Sequence, residues 1–177
     1  DALQRGLAAI EKNYRASAAR SGMSDADVEK RMALIEGATD LDAAAKADIV
    51  IEAAFEDMNV KREIFGRLDR VTGAQTVLAT NTSYLDVNEI AHCTQRPGSV
   101  VGMHFFSPAN VMRLLEIVRG AATSPATVAA ALAIAKRLGK VGVVAGNSPG
   151  FIGNRMMFPY MYEAQFLVED GATPEQV

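Results

Sequence analysis

The sequence predicts an α/β fold in which a mostly parallel, doubly wound sheet carries helices on both faces. Two observations favour this class: short β-branched runs alternate with segments of helical periodicity, and the first of these runs is apolar on both faces. Apolar residues make up 49% of the 177 residues and charged residues 22%. These proportions are typical of one main globular unit and argue against a collagen-like, coiled-coil or disordered chain.

Two helices are predicted before the first strand. Residues 1–20 carry apolar side chains three to four positions apart, the spacing of one buried helical stripe, and Gly22 ends that pattern. Ser24 and Asp27 then form a capping signal for a second helix that runs through about Ile35.

Three strands and their connecting helices follow in alternation. Strands are predicted at 48–53, 76–80 and 100–105, with helices at 58–71 and 87–93 between them. Because the first run is apolar on both faces, as in a buried parallel strand, we expect a parallel arrangement.

The last part of the predicted sheet departs from this rhythm. The run 114–118 follows the third strand after a loop too short for a crossover helix, so these two strands are expected to be antiparallel. Ser124 and Pro125 begin a helix that extends to Leu138, and 141–144 is the last strand.

The C-terminal segment is expected to begin a second domain. Ser148 and Pro149 are predicted to open a helix that is apolar nearly all round from Phe151 onward. Because such a helix needs partners on several sides, we expect 1–147 to form the main domain and 148–177 to be the first helix of a helical domain. The same surface favours a homo-oligomer.

Charge and cysteine content limit the partners and the compartment. Eighteen Lys and Arg against 21 Asp and Glu give a net charge of −3 without any basic run, which argues against nucleic acid as a partner. The single cysteine, Cys93, cannot form an internal disulfide, which favours a reducing, cytoplasmic compartment. The histidines form no metal-ligand cluster, and neither a membrane span nor a secretory signal is visible.

The most informative block runs from Gly102 to Pro108 and is followed by Glu116 in the next strand. Two antiparallel neighbours joined by a short loop can place His104 and Glu116 side by side on one face. A carboxylate beside an imidazole fixes which ring nitrogen carries the proton, and such a pair can shuttle a proton at neutral pH. The alternative is a structural histidine beside an edge-strand glutamate.

Polar side chains also follow the first two strands at their carboxyl ends, where ligands bind in open α/β folds. Asn81, Thr82 and Ser83 come directly after the second strand, and an ordinary Asx or Ser turn is the alternative for them. Glu56 and Lys61 lie just past the first strand, and a solvated charge pair is the alternative to a ligand role.

Gly146, Gly150 and Gly153 after the last strand superficially echo a dinucleotide fingerprint. Their spacing is not G-x-G-x-x-G, and Pro149 removes an N–H that a phosphate would need, so we reject a phosphate loop. Asn154 lies on the first turn of the predicted apolar helix, where a buried amide needs partners. A ligand oxygen or a plain inter-helix hydrogen bond would meet that need.

Taken in order, the blocks VIEAAFED, NTS, GMHFFSP, LLEIV and SPGFIGNR resemble the NAD-binding domain of L-3-hydroxyacyl-CoA dehydrogenases over nearly the whole chain. The segments HFFSPANVMRLLEIV and FEDMNVKREIF look most like the dehydrogenase part of multifunctional fatty-acid β-oxidation enzymes. The resemblance implies a Rossmann-like sheet and the oxidation of an L-3-hydroxyacyl-CoA to the 3-ketoacyl-CoA with NAD as cofactor.

The resemblance also implies roles for individual residues. It makes His104 the catalytic base and Glu116 its charge partner, and it makes Ser83 and Asn154 the groups that hold the substrate oxygen. Glu56 and Lys61 would line the cofactor groove, Ser83 would also lie near the nicotinamide ribose, and Ser107 occupies a position of cofactor contact. The family often has Asn where this chain has Ser107.

By this resemblance the chain would begin just after the second strand of the family. Without the family's glycine-rich turn and acidic residue, we expect NAD binding to be weak or absent. The missing first strand would be central, so we expect an unpaired apolar edge that another chain or a rearranged segment covers. The alternative to an enzyme is a non-catalytic structural or binding module of the same fold that has lost the cofactor site.

Overall fold

The computed structural model describes all residues from Asp1 to Val177. The chain divides into two compact units, Asp1–Ala43 and Ala44–Val177. The predicted division after residue 147 stays a prediction.

The first unit consists of two helices separated by a short turn. Helix α1 (Ala2–Ser21) ends at Gly22, whose φ of 72° lies in the left-handed region that favours glycine. Helix α2 (Asp25–Met32) begins after Ser24, whose Oγ accepts a hydrogen bond from the N–H of Asp27 at 3.2 Å. Both caps agree with the sequence pattern, but α2 ends earlier than predicted, and the apolar stripe of α1 is only partly buried.

The second unit contains a five-stranded sheet and four α-helices. Its strands are β1 (Ile49–Glu52), β2 (Val77–Thr80), β3 (Val100–Phe105), β4 (Leu114–Arg119) and β5 (Val141–Gly146). Its helices are α3 (Met58–Val71), α4 (Val87–Ala91), α5 (Pro125–Arg137) and α6 (Gly153–Glu169). Short 3₁₀ helices, which the sequence did not predict, cover Leu41–Lys46 and Pro97–Ser99.

The strands lie in the order β1-β2-β3-β4-β5, so each strand pairs with its neighbours along the chain. The pairs β1 with β2, β2 with β3, and β4 with β5 are parallel, whereas β3 and β4 are antiparallel. The mostly parallel sheet and the antiparallel pair expected from the short loop are both confirmed.

Helices pack on both faces of the sheet. Successive side chains along a strand point to opposite faces, so each strand contributes residues to both. Helix α5 covers one face through a core of buried residues: Ala79, Val101, Met103, Leu115, Ile117, Ala131 and Ala135. Helices α3 and α4 lie on the other face, where Val87 meets the β3/β4 pair and Lys61 meets the end of β1. By alternation, His104 and Glu116 belong to this second face.

Gly102 lies where β3, β4 and α4 approach closely. A Cβ at this position would lie 2.6 Å from Cβ of Val118 and 3.4 Å from Cγ2 of Val87. Because a Cβ cannot move without its backbone, we expect Gly102→Ala to lower the free energy of unfolding by about 1–3 kcal/mol. Gly146→Ala is the matched control in β5, where a Cβ meets nothing within 4 Å. Urea unfolding measures both, and equal free energies of unfolding for the two variants would contradict the expectation.

Strand β1 forms one edge of the sheet. It pairs only with β2, and Ile51 on it is 39% exposed. No further strand of this chain pairs with β1, and cover of this edge by another chain or by a rearranged segment stays a prediction.

The C-terminal helix begins later than predicted. Gly150 and Phe151 have φ values of 73° and 52°, and two successive left-handed residues cannot continue a right-handed helix. Helix α6 therefore starts at Gly153, and the prediction that it opens at Ser148 is wrong. Many apolar side chains of α6 are exposed, and Tyr160 is 77% exposed. No helix of the chain is long and apolar enough to cross a membrane.

Candidate active site

The side chains of His104 and Glu116 meet across the β3/β4 pair. The two residues are directly opposite in register, and Nδ1 of His104 lies 2.7 Å from Oε2 of Glu116. Their side chains are only 6% and 1% exposed, so water screens the contact little. The structure thus has the juxtaposition that the strand pattern predicts.

The other oxygen of Glu116 is also occupied. Oε1 accepts hydrogen bonds from the N–H groups of Ile152 and Gly153, both at 2.9 Å, at the start of α6. Two N–H donors at Oε1 and the imidazole at Oε2 match a carboxylate, whose oxygens both accept hydrogen bonds. We therefore assign the donor proton of the contact between the two side chains to Nδ1 of His104.

This assignment leaves Nε2 of His104 with a free lone pair. The structure gives Nε2 no hydrogen-bond partner within the chain. The imidazole packs against two aromatic rings, with centroid distances of 4.5 Å to Phe106 and 5.6 Å to Phe151. The rings and the carboxylate together orient an imidazole whose outer nitrogen can accept a proton.

A buried ionic cluster lies at the carboxyl end of β1. The Lys61 ammonium is fully buried and lies 2.9 Å from Oε1 of Glu52 and 3.5 Å from Oε2 of Glu56. Nζ also donates to the carbonyl of Ala54, and the hydroxyl of Thr80 donates to Oε2 of Glu52. The alternative of a solvated charge pair is therefore wrong. Because the Lys61 side chain has no exposed surface, it could influence a ligand only through its ion-pair partners Glu52 and Glu56. Its place in the cofactor groove stays a prediction.

Glu56 connects this cluster to the loop after β2. Its Oε1 accepts hydrogen bonds from the Thr82 hydroxyl at 2.5 Å and from the N–H groups of Ser83 and Tyr84 at 2.6 and 3.3 Å. The Thr82 hydroxyl in turn accepts the N–H of Leu85 at 2.9 Å. The segment thus forms the local turn proposed as the alternative, and Glu56 anchors that turn.

Asn154 joins α6 to the same loop. Its Nδ2 donates to the carbonyl oxygen of Ser83 at 3.3 Å, so the amide bonds to a loop and not to another helix, and its contact with a substrate oxygen stays a prediction. Hydrogen bonds, ion pairs and chain neighbours therefore connect six of the predicted site residues: Lys61, Glu56, Ser83, Asn154, Glu116 and His104.

Ser107 stands apart from this network. It is exposed and makes no hydrogen bond. The sequence left the role of Asn81 open. The N–H of Phe105 donates a 2.8 Å hydrogen bond to Oδ1 of Asn81, which ties the loop after β2 to the end of β3. The contact of Ser107 with a cofactor stays a prediction.

Sequence reasoning missed several residues that organise the site. Glu52 is the main one, and its signal was available because it is the one charged residue within a short apolar strand. The contribution of Phe151 and of the amides that follow it had no such signal, since it depends on how the turn before α6 meets β4.

Asp86 links α4 to the turn after β5. Its Oδ1 accepts hydrogen bonds from the N–H of Asn88 at 2.7 Å and from Nδ2 of Asn147 at 2.6 Å. Partial burial acts to raise the pKa of Asp86, but the hydrogen bonds from Asn147, Asn88 and Glu89 together lower this pKa below its ordinary value.

The lowered pKa of Asp86 predicts a pH-dependent contribution to stability. A depressed folded-state pKa stabilises the protein above the unfolded value of about 3.9, and the effect is lost as pH falls through the folded pKa. We expect Asp86→Asn, which keeps a capping side chain, to be less stable than wild type at pH 7 and to approach it below about pH 4. Thermal unfolding across this range measures the difference, and a difference independent of pH would contradict the assignment.

The comparisons with known proteins agree with the geometry. Residues 1–148 match the family model described as 3-hydroxyacyl-CoA dehydrogenase, NAD binding domain, and residues 150–177 match that described as 3-hydroxyacyl-CoA dehydrogenase, C-terminal domain. The peroxisomal bifunctional enzyme of Danio rerio is 48% identical over 161 residues, which cover 88% of this chain and 22% of the relative. A probable 3-hydroxybutyryl-CoA dehydrogenase of Bacillus subtilis is 40% identical, with 100% of this chain and 62% of the relative covered.

Solved structures show the same relationship. The (S)-3-hydroxybutyryl-CoA dehydrogenase of Ralstonia eutropha superposes with a TM-score of 0.95 at 37% identity, covering 99% of this chain and 62% of that protein. The dehydrogenase part of multifunctional enzyme 1 from C. elegans has a TM-score of 0.75 at 30% identity, covering 99% of this chain and 41% of that structure. The chain spans less than two thirds of the length of each of these relatives. On the family model and these identities together, the chain belongs to the 3-hydroxyacyl-CoA dehydrogenase family.

Proposed function

We propose that this chain supplies the catalytic base and part of the cofactor groove of a dehydrogenase that oxidises an L-3-hydroxyacyl-CoA to the 3-ketoacyl-CoA in fatty-acid β-oxidation. The observation that carries the proposal is the 2.7 Å contact between Nδ1 of His104 and Oε2 of Glu116, which leaves Nε2 free. Membership of the family supports the substrate class.

The proton chemistry follows from the tautomer. Nε2 of His104 accepts the proton of the substrate C3 hydroxyl as the C3 hydride departs. The imidazolium formed in this way is stabilised by the ionised Glu116, whose charge is held by the N–H groups of Ile152 and Gly153. Bound NAD⁺ supplies the hydride acceptor, so one hydride and one proton leave the alcohol for each ketone formed. Ser83 and Asn154, which lie together, are the groups we propose to hold the substrate oxygen.

The residues at the carboxyl ends of β1 and β2 fit one part of NAD. The Glu56 carboxylate and the Ser83 hydroxyl are groups that can hydrogen-bond to ribose hydroxyls. The N–H groups of Asn59 and Val60 in the first turn of α3 are not free for a pyrophosphate, because they already donate hydrogen bonds to Oδ1 of Asp57 at 2.8 and 3.0 Å. We therefore propose that this chain alone binds NAD weakly or not at all.

The partners and the compartment are further parts of the proposal. The exposed apolar side chains of α6 support a homo-oligomer, and the balanced surface charge supports neither nucleic acid nor membrane as a partner. The single cysteine supports a reducing, cytoplasmic compartment. Several relatives carry peroxisomal names, which describe those proteins.

Calorimetric titration with NAD tests the proposal, together with NADH formation from an L-3-hydroxyacyl-CoA. Both are measured on this chain and on the full-length protein. Binding and turnover by the full-length protein, with weak or no binding by this chain, are expected. Absence of NAD binding and turnover in both would overturn the proposal and favour a non-catalytic module of the same fold.

A further inference from the structure

Phe151 has an unusual backbone conformation for a bulky residue. Its φ of 52° makes it the only residue other than glycine with a positive φ, and its side chain is buried. A side chain with a Cβ is strained in the left-handed region, and such strain persists only where the surrounding structure imposes it. The ring of Phe151 lies against the imidazole of His104, with 5.6 Å between the ring centroids.

The strained turn directs two backbone donors at one oxygen. Gly150 and Phe151 are successive left-handed residues, and the next two N–H groups, of Ile152 and Gly153, both lie 2.9 Å from Oε1 of Glu116. Consecutive N–H groups that converge in this way form a concave site for an anion. In this chain the anion is the Glu116 carboxylate, whose other oxygen orients His104.

The same turn also contacts the imidazole. The ring of Phe151 packs against the ring of His104. The ring of Phe106, the residue that follows β3, also packs against His104. A Cβ at Gly153 would lie 2.6 Å from Cζ of Phe106 and 3.8 Å from Oε1 of Glu116. The absence of a side chain at residue 153 therefore lets the Phe106 ring and the start of α6 approach the pair together.

We propose that Phe151 and Gly153 are positioning residues of the site, which hold Glu116, and through it His104, in the orientation that leaves Nε2 ready to accept a proton. Neither residue exchanges a proton in this proposal. The expected effect of these residues on kcat rests on the proposed dehydrogenase function. Their effect on the geometry of the His104–Glu116 contact does not depend on that function.

The test is Gly153→Ala in the full-length protein. We expect kcat for L-3-hydroxyacyl-CoA oxidation to fall about 10- to 100-fold, because a small displacement of a catalytic group lowers the rate by about this factor. The KM for NAD and the KM for the acyl-CoA should each change by less than about threefold. Gly146→Ala is the control, since a Cβ there meets nothing within 4 Å, and it should keep wild-type kcat.

A second readout does not depend on turnover. In proton NMR the Nδ1–H of His104, identified by its loss in His104→Gln, should give a downfield signal that Gly153→Ala shifts or abolishes, while exposed His92 is unaffected. If that signal changes in a protein that lacks dehydrogenase activity, the positioning role holds and the proposed function fails. Should Gly153→Ala not fold, Phe151→Leu is measured in the same way. An unchanged Nδ1–H signal together with an unchanged kcat in the folded variant would overturn the proposal.

Discussion

Replacing His104 with glutamine in the full-length protein is expected to lower kcat for L-3-hydroxyacyl-CoA oxidation by about 10²- to 10⁴-fold, the usual contribution of a positioned base. Glutamine keeps a polar side chain that can donate to Glu116, but its amide cannot take up the hydroxyl proton. Because the loss falls on the transition state, we expect KM to change little. Steady-state NADH formation measures both parameters.

The matched control for this variant is His92→Gln. His92 is exposed and forms the C-cap of α4, outside the network that contains His104. It should therefore keep the wild-type kcat. If His104→Gln also kept the wild-type kcat, His104 could not be the catalytic base.

Replacing Lys61 with methionine is expected to lower the free energy of unfolding by about 3–5 kcal/mol. The change removes the only ammonium beside Glu52, whose carboxylate is buried, and an uncompensated buried charge costs about this much. Urea unfolding followed by circular dichroism measures the loss. The double variant Lys61→Met with Glu52→Gln should regain part of the stability, because it leaves no unpaired charge at Glu52.

Arg62→Met provides the control on the same helix. Arg62 is exposed and forms its ion pair with Glu89 at the surface, where such pairs contribute about 1 kcal/mol or less. A loss of stability in Lys61→Met that is no larger than the loss in Arg62→Met would contradict the structural role of the buried cluster.

The architecture of the sheet was predictable from short-range signals. The β-branched runs marked the strands, and the short loop around Pro108 indicated the antiparallel pair. Once β3 and β4 are antiparallel with a short connection, His104 and Glu116 can share a face, and the register places them opposite each other. The candidate pair was therefore accessible from sequence because both partners lie on neighbouring strands.

Features that depend on distant contacts were not predictable in the same way. Ser148 and Pro149 resemble a helix start, but the turn that follows is shaped by the hydrogen bonds that the N–H groups of Ile152 and Gly153 donate to Glu116. The burial of Lys61 depends on Glu52 at the end of β1, a partner nine residues away that helical periodicity does not show. Periodicity describes one element at a time, whereas these contacts join two.

A crystal structure of the full-length protein with NADH and a 3-ketoacyl-CoA bound would show whether His104 is placed to act as the base. We predict that the C3 oxygen of the substrate lies about 2.6–3.2 Å from Nε2 of His104 while Nδ1 still contacts Glu116. A substrate oxygen held by other groups, with Nε2 of His104 turned away from it or out of reach, would contradict the assignment of this imidazole as the base.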